Sequence, residues 1–306
     1  MTLVIGTDEA GYGPNLGPLV VAATAWHVEA PPEEVERTIQ AAVAEGAADR
    51  LWGDSKQIYR GGGGLAALER GALAGIALAA GRPPCCWDEL SLSVGCHDAE
   101  RSPEHESLVS LRMPVEPRAG ESQLDDLAAR LAGRGIRLAA VWVRVVSPGA
   151  FNRLLDAGLN KSDLLSQATL DLAAGLTGDA GPTVVWCDRH GGRKRYAPLV
   201  ARHFSAPLVQ AVEETAERSA YAIPARGLRI EFSVGGEART PVALASMTAK
   251  YVRELAMLAF NEHWGRLAPG VAPTAGYPVD AGRWRREAGS AVERAGVPWD
   301  MVWRRA

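Results

Sequence analysis

The chain has 306 residues, of which 47% are hydrophobic and 23% are charged. This composition supplies a large core and excludes a disordered protein. The formal net charge of −3 excludes a general attraction to nucleic acid, so phosphate binding requires local basic clusters. No apolar run approaches the roughly 18 residues of a membrane span, and residues 1–3 lead into a predicted strand without a signal peptide. We therefore expect a cytoplasmic monomer with no membrane contact, formed by one domain over residues 1–306.

The first predicted strand, over residues 3–7, ends in two adjacent carboxylates, Asp8 and Glu9. Apolar and β-branched residues dominate the strand, which indicates a buried position. Like charges at such a place repel each other unless a cation neutralises them. Residues 11–17 are rich in glycine, so their backbone can approach a ligand closely. One alternative is an ordinary turn with two exposed acids; a dinucleotide-binding loop is disfavoured because G-x-G-x-x-G is absent.

The segments up to residue 146 alternate between strands and helices. We predict strands over residues 19–28 and 136–146, and helices over residues 31–48, 65–80 and 124–132. Between the first two helices, Asp54, Ser55 and Lys56 form a polar turn, a pattern typical of a helix cap. Residues 81–123 show little periodicity, and we interpret them as an insertion.

Three of the four cysteines lie in this proposed insertion, at Cys85, Cys86 and Cys96. Together with His97 they suggest a zinc site. Their spacing fits no common zinc module, so we favour reduced, unlinked thiols.

A second buried strand, predicted over residues 183–188, also ends in a carboxylate, Asp188. Continuous apolar runs are typical of parallel sheets, in which ligands collect at the carboxyl ends of the strands. The residues before this strand predict a turn and then a helix, over 147–176. A basic run at 189–195 follows the strand, and it is either solvated surface or a contact for a phosphate backbone.

The last third of the chain predicts a hairpin and then mainly helices. A helix over 196–204 and a strand over 208–212 precede the hairpin, whose alternating strands flank residues 224–227. We interpret residues 215–235 as a second, hairpin insertion. Residues 251–306 form a predicted C-terminal helical part.

Two stretches resemble the motifs of type 2 ribonucleases H, the ribonuclease HII/HIII family. The letters D-E-A-G-Y-G-P at residues 8–14, followed by G-P at 17–18, are similar to the family's D-E-A-G-R-G-x-x-x-G-P, with tyrosine replacing arginine. The letters G-E-A-R-T-P at 236–241 and the helix that follows resemble the family's G-D-A-K-S-P and A-A-S-I-x-A-K elements. The resemblance runs through nearly the whole chain.

The resemblance implies an α/β ribonuclease H-like fold, with a central mixed sheet flanked by helices. It also implies a hydrolase, a metal-dependent endoribonuclease that cuts RNA in RNA/DNA hybrids or in a ribonucleotide-containing duplex. Two divalent ions, Mg²⁺ or Mn²⁺, would activate water and stabilise the charge of the reaction, and several converging carboxylates suit them.

The resemblance assigns roles to particular residues. The metal-binding and catalytic acids are Asp8, Glu9, Asp188 and Glu237. Glu214 and Glu217 remain rivals for the fourth acid, because folding the hairpin brings Glu214 roughly opposite Glu237. The implied nucleic-acid contacts are Gly11, Tyr12, Gly13, Asp54, Ser55, Lys56, Ser246, Lys250 and Tyr277.

Two other functions stay open from the sequence. One is a nuclease of the same fold with another nucleic-acid substrate, because Tyr12 carries no charge at the position of the family's arginine. The other is a nucleic-acid-binding protein with degenerate catalysis. Cleavage in the presence of a divalent metal distinguishes an enzyme from the second alternative.

Overall fold

A computed structural model describes residues 1–44, 51–53, 64–96, 102–115, 122–178 and 181–305. Its framework is one mixed sheet of seven strands. In chain order, these are β1 (Thr2–Ala10), β2 (Leu19–Val28), β3 (Ile136–Val146), β4 (Thr183–Asp188), β5 (Gln210–Glu214), β6 (Arg218–Ile223) and β7 (Leu228–Ser233). Their order across the sheet is β3-β2-β1-β4-β7-β6-β5.

The centre of the sheet is parallel and its two sides are antiparallel. Strand β4 runs parallel to both β1 and β7, whereas β2–β3 and β6–β5 pair antiparallel on the two flanks. Because parallel strands end at the same edge of a sheet, the carboxyl ends of β1, β4 and β7 lie side by side.

Ten helices surround the sheet in the described part of the chain. They are α1 (Val35–Ala44), α2 (Gly64–Ala80), α3 (Trp87–Ser93), α4 (His105–Ser110), α5 (Ser122–Gly133), α6 (Pro148–Asp156), α7 (Lys161–Leu176), α8 (Ala197–His203), α9 (Thr240–Leu267) and α10 (Pro278–Arg294). Three short 3₁₀ turns complete the structure, at Pro224–Arg226, Gly236–Ala238 and Trp299–Met301. None of the described helices is long and apolar enough to cross a membrane.

Helices cover both faces of the sheet, as the sequence predicts. On one face, α9 lies so close to β1 that a Cβ atom at Gly6 would overlap the backbone of Pro241. Helix α2 packs beside α9 and also contacts β3, and the two helices share a hydrophobic core with β1 and β2. On the other face, α7 and α8 pack against the central strands. The predicted architecture, a central mixed sheet flanked by helices, is confirmed.

The C-terminal residues form a smaller core of their own. Phe260 and Trp264 on α9 pack against Trp284 on α10, and Leu16 and Val302 join the same cluster. The predicted boundary at residue 251 falls inside α9, which continues without interruption from Thr240. A helix that begins at the sheet thus carries the C-terminal part.

Some predicted elements differ from those in the structure. Helix α1 begins at Val35, later than the predicted start at residue 31, and residues 45–48 of that prediction lie outside the described residues. The segment 147–176, predicted as a turn and then a helix, forms two helices, α6 and α7. Ser147 and Asn160 each accept a hydrogen bond from the third residue that follows, which begins a new helix in each case. Residues 81–123 contain the short helices α3 and α4, and whether this segment is an insertion stays a prediction.

The predicted hairpin is present as β6 and β7, with Gly227 in the left-handed region at φ 57°. Its second strand pairs with β4 in the middle of the sheet. The hairpin therefore contributes to the central sheet, because β7 supplies the third parallel strand. Its interpretation as an insertion over 215–235 stays a prediction.

Candidate functional site

Three carboxylates converge where β1 and β4 end. One oxygen each from Asp8, Glu9 and Asp188 can be chosen so that all three atoms lie within 4.8 Å of one another. The parallel register explains this meeting, because Thr7 pairs with Cys187 and the next residue on each strand is an aspartate. Two predicted strand ends thus form one acidic cluster.

Asp8 is the least solvated member of the cluster, with 5% of its surface exposed. Its Oδ1 accepts a hydrogen bond of 2.8 Å from the Glu9 amide. Its Oδ2 is buried and has no hydrogen-bond partner among the described residues. Asp188 is oriented by the amide of Gly236, which donates to its Oδ1 at 3.0 Å. A buried oxygen without a partner is costly, and a cation would satisfy it.

The electrostatics of the cluster oppose full ionisation. Burial, followed by the charges of Asp188 and Glu237, raises the pKa of Asp8 to about 7. Burial and the charges of Asp8 and Asp188 raise the pKa of Glu9 well above its ordinary value. Both carboxyl groups therefore hold their protons up to a higher pH than an ordinary carboxyl group does, unless a positive charge enters the cluster.

Glu237 lies beside this cluster, in the 3₁₀ turn that precedes α9. Its Oε1 accepts hydrogen bonds from the Ser246 hydroxyl at 3.1 Å and from the Lys250 ammonium at 3.3 Å. Lys250 also donates to Ser246 Oγ at 3.0 Å. Ser246 and Lys250 lie one turn apart on α9, so the helix fixes the side chain of Glu237. The charge of Lys250 also lowers the pKa of Asp8 and Glu9, as a minor effect.

The two rival acids lie elsewhere. Glu214 ends β5, which is three strands away from β4, roughly 14 Å at the usual strand spacing. Its carboxylate accepts a hydrogen bond of 2.6 Å from the Tyr221 hydroxyl and lies 3.7 Å from Arg195 Nε. Glu217 is exposed in the turn between β5 and β6. The structure thus groups Glu237, and neither rival, with the acids of β1 and β4.

Two arginines, Arg253 and Arg304, hold the glycine-rich loop after β1 in place. Gly11 has φ 85°, and a Cβ atom there would lie 2.8 Å from Arg253 Nε, so only glycine fits. Arg253 donates to the carbonyl of Ala275 at 3.0 Å. The fully buried Arg304 donates to the carbonyl oxygens of Gly11, at 2.6 Å, and of Pro14. The C-terminal residues therefore position this loop beside the acidic cluster.

Tyr12 lies near the acidic cluster and also contacts a lysine that no sequence motif identified. Lys161 Nζ lies 4.8 Å from the centroid of the Tyr12 ring. Burial and the charge of Glu9 raise the pKa of Tyr12, so the phenol lies within electrostatic range of the cluster. Lys161 begins α7, far from Tyr12 in the chain, and local sequence patterns carry no signal for this contact.

The remaining predicted contact residues vary in position. Gly13 is exposed at the tip of the loop. Tyr277 is 56% exposed, and the Arg253 guanidinium lies 5.7 Å from the centroid of its ring. Both therefore lie near the loop that Arg253 supports. Asp54, Ser55 and Lys56 lie outside the described residues.

The basic run after β4 is partly neutralised by the protein itself. Arg189 donates to the carbonyl oxygens of Thr215 and Ala216, and Arg193 forms an ion pair with Asp163. Arg195 pairs with Glu214 at 3.7 Å, but its side chain is 86% exposed. Only part of this run is available to a phosphate backbone.

A cleft of about 800 Å³ opens beside the acids. Its lining includes Asp188 and Glu237, together with Trp52 and residues of α1. The cleft thus borders two of the four predicted metal-binding acids.

Comparison with solved structures finds ribonucleases of one family. Ribonuclease HII from Archaeoglobus fulgidus, solved in complex with PCNA, is 16% identical and has a TM-score of 0.43; the similarity covers 98% of this chain and 93% of that one. Ribonuclease H2 from Pyrococcus horikoshii OT3 is 16% identical, with 98% and 92% covered and a TM-score of 0.44. Bst-RNase HIII in complex with Mn²⁺ is 15% identical, with 95% of this chain and 65% of that one covered and a TM-score of 0.40.

These are structures of the same ribonuclease HII/HIII family that the two sequence motifs resemble. No protein-family model matches the chain. The search of curated proteins finds no match either.

Proposed function

We propose that this chain is a metal-dependent endoribonuclease that hydrolyses RNA in RNA/DNA hybrids or in ribonucleotide-containing duplexes. One observation carries the proposal: the carboxylates of Asp8, Glu9 and Asp188 converge within 4.8 Å at a poorly solvated strand edge. A cluster of this kind serves no purpose in packing, because its members repel one another. It does serve a reaction that needs divalent cations.

The donor atoms fit Mg²⁺ or Mn²⁺. All are hard carboxylate oxygens, with no histidine or cysteine in the described cluster. The buried Asp8 Oδ2 lacks a hydrogen-bond partner among the described residues and is free to bind a cation. In phosphodiester hydrolysis, a pair of such ions activates water and neutralises the charge that develops on the reacting oxygens. Asp8, Glu9, Asp188 and Glu237 would hold them.

The other residues of the site orient these ligands and the substrate. The Gly236 amide and the pair of Ser246 and Lys250 restrain Asp188 and Glu237, so the carboxylates need little reorganisation. The loop with Gly11, Tyr12 and Gly13 lies beside the acids, where it can approach the sugar and its 2′-hydroxyl, the group that distinguishes RNA from DNA.

Asp54, Ser55, Lys56 and Tyr277 complete the proposed nucleic-acid surface, in the supporting roles that the motif resemblance assigns. We further expect the enzyme to act as a monomer in the cytoplasm.

Tyr12 favours a second candidate, a nuclease of the same kind with a different nucleic-acid substrate. Tyrosine can stack or donate one hydrogen bond, but it cannot supply the fixed charge of an arginine. The two candidates share the metal chemistry and differ only in which duplex is bound productively.

A cleavage assay tests the proposal. Four labelled duplexes are compared: an RNA/DNA hybrid, DNA with one embedded ribonucleotide, double-stranded RNA and double-stranded DNA, each with Mg²⁺, with Mn²⁺ and with EDTA. We expect metal-dependent cuts in the RNA of the hybrid. Metal-dependent cleavage of the duplex with one embedded ribonucleotide would also support the proposal, whereas cleavage of double-stranded RNA or double-stranded DNA alone would support the second candidate. Binding without cleavage of any duplex would contradict both and favour a degenerate nucleic-acid-binding protein.

A further inference from the structure

A pair of cations beside the Tyr12 loop lacks counter-charges. The Arg304 guanidinium is fully buried, and its Nε and Nη1 atoms have no hydrogen-bond partner among the described residues. Lys161 lies close enough for the charge of Arg304, after burial, to lower its pKa. Among the described residues, neither cation forms an ion pair with a carboxylate. Two neighbouring positive charges therefore repel each other with no anion between them.

The nearby basic residues differ in this respect. Arg193 also lies near Tyr12, but its charge is paired with Asp163, and its Nε donates to the Ser162 hydroxyl at 3.2 Å. Arg253 has only the distant carboxylate of Glu254, at 3.9 Å, and its side chain is buried. Lys161 is half-buried, so it is the unpaired cation of this group that an incoming anion can reach.

The position of Lys161 indicates which anion it would meet. Its ammonium lies over the Tyr12 ring, whose hydroxyl is within electrostatic range of Glu9. Tyr12 thus lies near both Glu9 and the lysine. A nucleic-acid strand with one phosphate at the acidic cluster carries its next phosphates past the neighbouring Tyr12 loop, at the spacing of a single nucleotide.

We propose that Lys161 binds a backbone phosphate adjacent to the one at the acidic cluster, with the Tyr12 ring orienting its ammonium. The proposal rests on the function proposed above, and adds to it a contact from α7. A stacked lysine is held in one direction by the ring face. A phosphate contact is independent of the sugar and of the base. Lys161 therefore contributes to the affinity for any duplex that binds at the acidic cluster, and it does not distinguish RNA from DNA.

The test measures binding separately from cleavage. Duplex affinity is measured with Ca²⁺ over a series of salt concentrations, for the hybrid and for double-stranded DNA. Lys161→Met removes the charge and retains the apolar stem, and Lys161→Arg retains the charge. Arg137→Met is the matched control, since Arg137 is an exposed cation at the opposite end of the sheet, where Ile136 pairs with Val28.

For Lys161→Met we expect about fivefold weaker binding of both duplexes at low salt. The slope of log affinity against log salt should become shallower by about 1. Lys161→Arg and Arg137→Met should bind like the unmodified protein. The affinity of the metal site for Mn²⁺, measured by calorimetry, should stay unchanged in all three variants.

The outcomes separate this inference from the proposed function. If the unmodified protein cleaves the hybrid while Lys161→Met binds as tightly as Arg137→Met, the phosphate contact is wrong and the nuclease remains. A loss confined to the hybrid would also contradict the contact, because it would indicate sugar recognition. An unmodified protein that neither binds nor cleaves would overturn both.

Discussion

The buried acid Glu231 on β7 and the acidic cluster at the ends of β1 and β4 lie on neighbouring strands of the sheet. Their negative charges are compensated in different ways. Glu231 on β7 is 8% exposed, and it forms ion pairs with Arg218 at 2.6 Å and with Arg239 at 2.7 Å. Burial alone would raise the pKa of Glu231, but the hydrogen bonds from the two arginines outweigh it and lower that pKa. This carboxylate is neutralised within the protein.

Asp8, at the end of β1, has a different environment, because its Oδ2 has no hydrogen-bond partner among the described residues. Asp8 faces two further carboxylates, Glu9 and Asp188, and its pKa is raised to about 7. The charge of Lys250 acts on both Asp8 and Glu9, and its ammonium donates to Glu237 and Ser246. The protein thus neutralises the buried acid on β7, whereas the proposed function assigns an external cation to the acids of β1 and β4.

The largest expected effect on cleavage comes from removing a carboxylate of the acidic cluster. Asp8→Asn and Asp188→Asn should each reduce metal-dependent cleavage at least about a thousandfold, which corresponds to about 4 kcal/mol of transition-state stabilisation. The measurement is the single-turnover rate on the hybrid. Asp125→Asn, an exposed acid on α5, makes the same chemical change away from the site and should leave the rate unchanged. Full activity in either site variant would rule out the proposed metal ligands.

The next effect concerns the fourth acid. Glu237→Gln should slow cleavage about ten- to a hundredfold, because one charged ligand beside the cluster is lost. Glu214→Gln should cleave like the unmodified protein, since the Glu214 carboxylate is bonded to Tyr221 at the edge of the sheet. The cleavage rates of Glu237→Gln and Glu214→Gln at saturating Mg²⁺ show which residue is the fourth acid. The reverse result would place the metal site around the hairpin instead.

Removing the charge of Glu231 and removing the charge of Asp8 should change the free energy of unfolding in opposite directions. Glu231→Gln breaks two charged contacts and should cost about 2 kcal/mol of unfolding free energy, whereas Asp8→Asn relieves repulsion and should raise that free energy in metal-free protein. Urea denaturation with EDTA measures both. Glu213→Gln, which also loses a contact with Arg218 but at the surface, should change stability by less than about 1 kcal/mol. A loss of stability in Asp8→Asn would show that the cluster is not repulsive.

The last prediction concerns the pH dependence of the stability of the metal-free protein. The pKa of Asp8 is about 7 in the folded chain against an ordinary value of 3.8, so the folded state binds more protons between these values. Stability should therefore fall as pH rises from about 4 to about 7. Thermal unfolding at a series of pH values measures this slope. Asp8→Asn and saturating Mn²⁺ should each flatten it, and a slope that survives both would have another origin.

Local patterns in the sequence determined the strands and the acids at their ends. Residues 19–28 and 136–146 alternate or stay apolar as strands do, and the structure places strands over those residues. Asp8 and Asp188 are identifiable because each comes at the end of a run of buried, mainly apolar residues, and Glu9 because it adjoins Asp8. These residues can be predicted because a buried strand requires a run of apolar residues, which is visible in the sequence.

The tertiary structure alone decided which distant residues meet. The parallel register of β1 and β4 brings Asp8 to Asp188, and the edge position of β5 separates Glu214 from them. Lys161 reaches Tyr12 only because α7 packs beside the loop. These contacts join residues whose own neighbours in the chain look ordinary. No local propensity records them, because they arise from the packing of whole strands and helices.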